Sequence, residues 1–355
     1  MTMTTARRAL RALASVGGAA LVIATAGTTA LAGTSTGAAT GGDIQPVWSP
    51  DGKQIAYAGL AGAHTQIYVI GRAGGKAHAL TSGAPNHLDP AWSHDGKKIA
   101  FSRLDTVGGQ TLSGQVYTVN ASGGGLKRLT TSPGGYDELF NWSPDGTRLA
   151  FVRIRAGVGA IYVMNADGSR QTTLTPNPED DDYLASWSPD SRKLVFDRTG
   201  SNAFGDLWVT NADGSGQHRL AGSSADEIAP EWSPDGRQIA YMSNRTGHYE
   251  VWVMSAGGGG QRRLSHTAVD AGHPVWSPDS KKIAFTSEVN GSQQVYVIDR
   301  GGSGQHELTT SSGNNNDPAW SPDSKKIAFE SSRASKGAQI YVMNADGSSQ
   351  KPISH

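Results

Sequence analysis

The sequence predicts an all-β chain, a seven-bladed β-propeller with one four-stranded antiparallel blade per repeat of ~44 residues. Three observations predict it. A Trp-Ser-Pro-Asp-Gly/Ser string recurs at Trp48, Trp92, Trp142, Trp187, Trp232, Trp276 and Trp320, with His94 replacing the proline once. The intervals between these tryptophans are 44, 50, 45, 45, 44 and 44 residues. Short runs of alternating apolar and polar residues lie between the strings, and 46 Gly and 16 Pro in a chain only 37% hydrophobic suit many short strands joined by tight turns.

The last repeat shows how each element arises. Residues 317–321 form the first strand, closed by a Ser-Pro-Asp-Ser turn in which proline pre-sets the backbone and aspartate bonds it. Residues 326–330 and 339–343 are the second and third strands, and Asn344-Ala-Asp-Gly347 is the hairpin turn after them. Residues 351–354 make a short polar outer strand whose Pro352 suits only an edge, and edges of that kind resist aggregation. A single blade cannot bury both its faces. The repeated Trp, Ile, Phe and Val, with the third-strand aromatics Tyr68, Tyr117, Tyr162, Trp208, Trp252, Tyr296 and Tyr341, are therefore expected to fill the spaces between blades. The aspartates of the recurring turns are read as scaffold. No strand appears left over, so the first blade should close on the seventh by packing, without strand exchange.

Three segments follow. Residues 1–32 read as a signal peptide: Arg7, Arg8 and Arg11 precede a weakly apolar stretch that ends in Ala30-Leu31-Ala32. The Arg7-Arg8 pair leaves general and twin-arginine export both open. Gly17, Gly18, Thr25, Gly27, Thr28 and Thr29 make the stretch a poor bilayer span, so no stable membrane span is expected after cleavage. Residues 33–42 are a flexible lead-in and residues 43–355 the propeller. The expected mature protein is exported, to the periplasm, cell envelope or extracellular space, and monomeric.

Basic and acidic residues balance at 31 each, which leaves no basic surplus to drive nucleic-acid binding. With no cysteine, disulfides, thiolate metal sites, a cysteine nucleophile and a lipid-carrying cysteine are all excluded.

The unit P-x-W-S-P-D-G-x-x-I-A-F … I-Y-V-M-N-A-D-G-S … L-T resembles the repeat of TolB-like (PD40) propellers, over nearly the whole of residues 43–355. It lacks the Gly-His and Trp-Asp pairs of the WD40 signature. The family's namesake looks like an α/β domain followed by six blades, whereas seven motifs stand here without such a domain. The resemblance implies a binding role, with the channel mouth as docking surface for an envelope protein.

The turns of one face are nearly uniform, while the second-to-third loops and blade-to-blade connections vary, as displayed loops do. The long interval falls among them, where residues 104–114 read as an extended loop. The connections before each inner strand carry Asp43; His87 and Asp89; Asp137 and Glu138; Asp180, Asp181 and Asp182; Asp226 and Glu227; Asp270 and His273; and Asp317. Gathered at one rim, such carboxylates would repel, raise one another's pKa and attract a basic peptide, a protein loop or a hydrated divalent cation, the one cofactor this rim suggests. Turn preference alone also enriches aspartate there.

Catalytic signatures are sparse. The one G-x-S-x-G string, Gly33 to Gly37, lies in the lead-in, without the strand and helix that a nucleophile elbow needs. The enzymatic alternative is a metal-dependent lyase acting on a polysaccharide, with His87 and His273 as metal ligands and Asp89 and Asp317 beside them. A purely structural repeat protein is the third reading. The expectation is a non-catalytic module that binds an envelope or extracellular protein or peptide.

Overall fold

The computed structural model describes residues 42–107, 110–133, 135–200, 204–334 and 337–354, so the expected signal peptide and nearly all of the lead-in lie outside it. Within the described residues the chain is all strand and turn, with no helix. Each sequence repeat supplies four strands paired antiparallel in chain order, forming five four-stranded sheets and one eight-stranded sheet. The large sheet joins units two and three where Gly114 pairs in parallel with Tyr136. A Cβ at Gly114 would lie 2.9 Å from that of Tyr136, so only glycine permits the approach. The extended loop expected at residues 104–114 is instead hairpin. Strands Lys98–Val107 and Gln110–Asn120 stay paired out to Val107 and Gln110, because the inserted residues continue a β-branched, alternating run.

The first strands are Ile44–Trp48, Asn86–Trp92, Gly135–Trp142, Asp181–Trp187, Glu227–Trp232, Ala271–Trp276 and Asn315–Trp320. Each touches the next, and Asn315–Trp320 touches Ile44–Trp48. The outer strands are the short ones, and Pro352 lies in one of them, Lys351–Pro352.

The recurring turn has the same wiring throughout. In unit one the Ser49 hydroxyl donates to Asp51 Oδ1 at 2.7 Å and accepts the Gln54 N–H at 2.9 Å, while Lys53 N–H donates to the same carboxylate at 3.0 Å. Those bonds hold all seven turn aspartates below their ordinary pKa, with the Ser49 hydroxyl the largest cause at Asp51. Serine replaces the turn glycine in three units at φ near 60°: Ser191, Ser280 and Ser324. Each accepts a hydrogen bond from the preceding unit's turn aspartate N–H, at 3.0, 2.9 and 3.1 Å. The left-handed strain at these serines is offset by a bond between units.

Every large apolar cluster is shared by two successive units. Trp92, Ile99 and Phe101 of unit two pack on Ile67 and Val69 of unit one. Trp48, Ile55 and Ile70 of unit one pack in turn on Ile340, Val342 and Ile353 of unit seven. The tryptophan indole N–H bridges the same seams: Trp92 donates to Val47 O, and Trp48 to Ala319 O at 3.0 Å. Among the described residues, no strand crosses from one terminus into the other's sheet. Most third-strand aromatics are only partly buried and lie against a second-strand ring of their own unit, as Tyr68 stacks on Tyr57 with centroids 5.5 Å apart.

Candidate functional site

The residues expected to share one rim fall at five positions of the repeat, three to seven residues before the tryptophan, and the structure divides them among different tasks.

Six residues before the tryptophan stand Asp181, Asp226 and Asp270. Their carboxylates accept backbone N–H bonds from the preceding unit, at or just before the start of its third strand: Gly159 to Asp181 at 2.8 Å, Gly205 to Asp226 at 2.9 Å and Tyr249 to Asp270 at 2.7 Å. Asn86 and Asn314 do the same for Thr65 and Gln293. This position latches neighbouring units together.

Five residues before it stand Asp43, His87, Asp137, Asp182 and Glu227, all buried. Asp137 takes a bidentate bond from Arg153 at 2.7 and 2.9 Å, and Asp182 one from Arg198 at 2.6 and 3.0 Å. Arg245 reaches Glu227 at 2.7 Å. The guanidiniums lie over the rings of Tyr162, Trp208 and Trp252, 4.4 to 4.7 Å from their centroids. In unit seven Arg333 bonds Asn315 instead, at 2.8 Å. These carboxylates are neutralised inside their blades. Asp180, beside them, pairs with Arg198 at 3.2 Å. His87 is likewise turned inward: Nδ1 is 2.8 Å from Gln66 Oε1 and the ring packs on Phe101. Burial first, then the Arg103 charge, lowers its pKa to about 4, so it is neutral at pH 7. Asp43 donates its backbone N–H to Ala338 O at 2.8 Å, across the seam between units one and seven. Glu138, four residues before its tryptophan, is buried near Tyr136 and Tyr183; burial first, then neighbouring carboxylates, raises the pKa of both phenols.

Asp89, His273 and Asp317 stand three residues before the tryptophan, and only they among the expected site residues turn the other way. Gln45, Leu184 and Ala229 hold the same position in units one, four and five. All six have left-handed backbone, with φ between 46° and 55°. The cause is a bulge in each first strand, where pairing skips two residues, as between Leu88 and Ala91 in unit two. Five of the six precede proline, whose ring and missing N–H suit the break in pairing. Unit three has an irregularity one residue further on and no left-handed residue there.

The bulge residues of units one, two, six and seven act on one another. Gln45 donates to Asp89 Oδ1 at 2.7 Å and accepts the Asp89 N–H at 3.0 Å. Asp89 and Asp317 act on each other electrostatically although unit one lies between their units. Glu330, on second strand Lys326–Ser331 of unit seven, joins them. Asp89 Oδ2, Asp317 Oδ2 and Glu330 Oε2 are each buried and have no hydrogen-bond partner among the described residues. Burial, with Asp317 adding repulsion, pushes Glu330 up to about 9. Asp89 rises to about 6 by burial, against hydrogen bonds from Ser102 and Gln45. Burial raises Asp317 too, with His273 opposing. Units six, seven, one and two thus contribute to one polar arc, His273, Asp317, Glu330, Gln45 and Asp89, whereas Ala229 packs against Ile228, Met242 and Tyr249 of its own unit.

Sequence reasoning missed Gln45, Glu330 and Leu184. The signal for two of them was the x-Pro-x-Trp or x-x-x-Trp position itself; Glu330 carries none, since the same position is Ala58 in unit one and Ser102 in unit two. Among the described residues, no three His, Asp or Glu side chains are placed to hold a metal ion. None of the described residues forms a helix long and apolar enough to cross a membrane.

The model of the TolB β-propeller domain family matches residues 17–139 and 198–355. The Tol-Pal system protein TolB of Bordetella pertussis is 37% identical over 119 residues, 32% of this chain and 25% of that protein. The chain thus matches only a quarter or less of the length of these curated relatives. A solved putative TolB from Agrobacterium tumefaciens superposes with a TM-score of 0.54 at 23% identity, covering 76% of this chain and 94% of that one. Oligogalacturonate lyase from Vibrio parahaemolyticus superposes with a TM-score of 0.67 at 14% identity, covering 84% and 88%. Likeness at such identity speaks for the fold alone.

Proposed function

Because the chain belongs to the TolB β-propeller domain family, we propose that it is an exported, non-catalytic binding module. In this reading seven blades form a closed ring, residues 1–32 are removed on export and residues 33–42 tether residues 43–355. An envelope or extracellular protein docks a segment at the channel end. The contact between first and last units supports the ring; the family and the signal-like sequence support the location.

The observation that carries the reading is the contrast between two sets of carboxylates. Asp137 and Asp182 give both oxygens to an arginine, and Glu227 gives one, whereas Asp89, Asp317 and Glu330 have no arginine partner and each keep a buried oxygen without a hydrogen bond among the described residues. A protein that leaves three such oxygens together destabilises itself there unless something else satisfies them. That narrows the expected acidic rim to the polar arc, with Asp89, His273 and Asp317 as its members. The other expected residues, Asp43, His87, Asp137, Glu138, Asp181, Asp182, Asp226, Glu227 and Asp270, serve the scaffold in this reading.

The lyase alternative would need His87 and His273 at one metal, and His87 is instead buried and bonded to Gln66 of unit one. To test the binding reading, residues 33–355 are immobilised and exposed to envelope and culture-fluid protein of the producing cells. A second column carries Asp89→Asn, Asp317→Asn and Glu330→Gln together. A partner held by the first column and lost from the second supports the reading; equal retention on both sinks it.

A further inference from the structure

We propose that the seam between units one and two is a binding site for a glutamine side chain of another polypeptide, whose amide is received between the Arg103 guanidinium and the Leu80 carbonyl oxygen. The site uses none of the polar-arc residues and stands independently of the binding reading above.

The argument begins with a device that other units repeat. Five units hold an arginine guanidinium over their own third-strand ring: Arg103, Arg153, Arg198, Arg245 and Arg333. In four of them the guanidinium has two acceptors. One comes from the first strand: Asp137, Asp182, Glu227 or Asn315. The other is a glutamine Oε1 just before the outer strand, at 3.0 Å for Gln171, 3.4 Å for Gln217, 2.9 Å for Gln261 and 2.7 Å for Gln350. Three of these amides also donate Nε2–H to a carbonyl of the preceding unit: Gln171 to Leu129 O at 3.0 Å, Gln350 to Leu308 O at 2.7 Å, and Gln217 to Leu174 O. One glutamine amide thus ties the arginine to the neighbouring unit.

Unit two keeps the arginine and lacks both acceptors. His87 stands opposite Arg103 on the first strand, buried and bonded to Gln66. Leu126 holds the glutamine position. The outer strand Lys127–Arg128 pairs with Tyr117 and Thr118 in the register in which Thr172–Thr173 pairs with Tyr162 and Val163, so Leu126 precedes its strand as Gln171 precedes its own. Leu126 is 55% exposed. Among the described residues, Arg103 is left with the Tyr117 hydroxyl at 3.5 Å and Asp105 at 3.8 Å, and its buried Nε has no hydrogen-bond partner. Its guanidinium stands 5.4 Å from the ring centroid, against 4.4 to 4.7 Å in the other four. The side chain is 33% exposed where Arg153 and Arg198 are 9%. Leu80 of unit one corresponds to Leu129: its N–H donates to Ile67 O as that of Leu129 donates to Val116 O.

A primary carboxamide from outside restores both bonds at once, its oxygen accepting from Arg103 and its NH2 donating to Leu80 O. A carboxylate satisfies the arginine but sets a second acceptor against the carbonyl, and an ammonium meets the arginine's like charge. The exposed Leu126 offers the methylene stem of a glutamine an apolar contact.

The test uses residues 33–355 with nitrogen-labelled arginine and labelled leucine methyl groups. The probes are Ala-Gln-Ala peptides blocked as acetyl and N-methylamide, with glutamate, lysine or N,N-dimethylglutamine replacing glutamine in turn. The glutamine peptide should shift the Arg103 Nε–H and Leu126 methyl signals together. It should bind at least about fivefold more tightly than the dimethyl peptide, which keeps the oxygen and loses the donors. Arg103→Lys should weaken it about tenfold, with circular dichroism checking the fold. Leu126→Gln supplies the missing amide from the chain itself, so it should abolish binding and raise the melting temperature. Tighter binding of the glutamate or lysine peptide, equal affinity for both amide peptides, or full binding to the Leu126→Gln variant overturns the proposal. So does the absence of any shift at Arg103 and Leu126.

Discussion

At Asp317 the backbone is left-handed, with φ of 49°, and the carboxylate acts on Asp89 and feels His273, both from other units. Such a conformation is strained for a residue with a Cβ, and it occurs here beside the buried carboxyl groups of Asp89 and Glu330. Glu330 is pushed from its ordinary 4.5 to about 9, chiefly by burial. The folded chain therefore holds that proton over a range where the unfolded chain has released it, and stability falls as pH rises from about 5 to 9. Glu330→Gln should remove this slope. Thermal melts should show the variant gaining on the parent as pH rises, by on the order of several kcal/mol across that range, and parallel curves would contradict the placement. Asp89 and Asp317 were legible in the sequence as acids before a first strand. Their difference from Asp137 or Asp182 was not, because a shift of two positions exchanges blade interior for channel only through a bulge that leaves no composition signal.

Within a blade, the pairing of an acid on the first strand with an arginine on the second was legible in principle. Asp137 with Arg153 and Asp182 with Arg198 share the same spacing, yet the acids alone suggested an exposed rim. Removing Arg153 as alanine leaves Asp137, which is 0% exposed, without its counter-charge. The expected loss is about 3–5 kcal/mol in denaturant unfolding; a loss near zero would mean that Asp137 finds water. The turn serines give a subtler test. Ser191→Ala keeps the left-handed strain and loses the bond from Asp145 N–H, costing about 1 kcal/mol. Ser191→Gly loses the same bond but relieves the strain, and should leave the melting temperature nearly unchanged. The turn motif was fully legible, since the same Ser, Asp and backbone bonds recur at each copy.

At the scale of the molecule, stability is distributed over seams between units, including the one joining unit seven to unit one. Gly42 lies against Ala338 there, and a Cβ on it would come 2.4 Å from Ala338 N. Gly42→Val should loosen that seam alone, seen as faster amide exchange in Ile44–Trp48 and Gln339–Asn344 with the central units unaffected. Uniform exchange across all units would show that the seam does not hold the termini together. The repeat count and strand order were readable from the tryptophan spacing. The polar arc was not, because it arises only when residues more than two hundred positions apart, such as Asp89 and Asp317, come close enough to act on each other.

The most direct test of the polar arc as binding site is displacement. Partner captured on immobilised residues 33–355 would be challenged with hexylammonium, and separately with sodium at equal ionic strength. Release by hexylammonium at concentrations where sodium releases nothing is the predicted result. Equal release by both, or by neither, would contradict the assignment of the docking site to Asp89, Asp317 and Glu330.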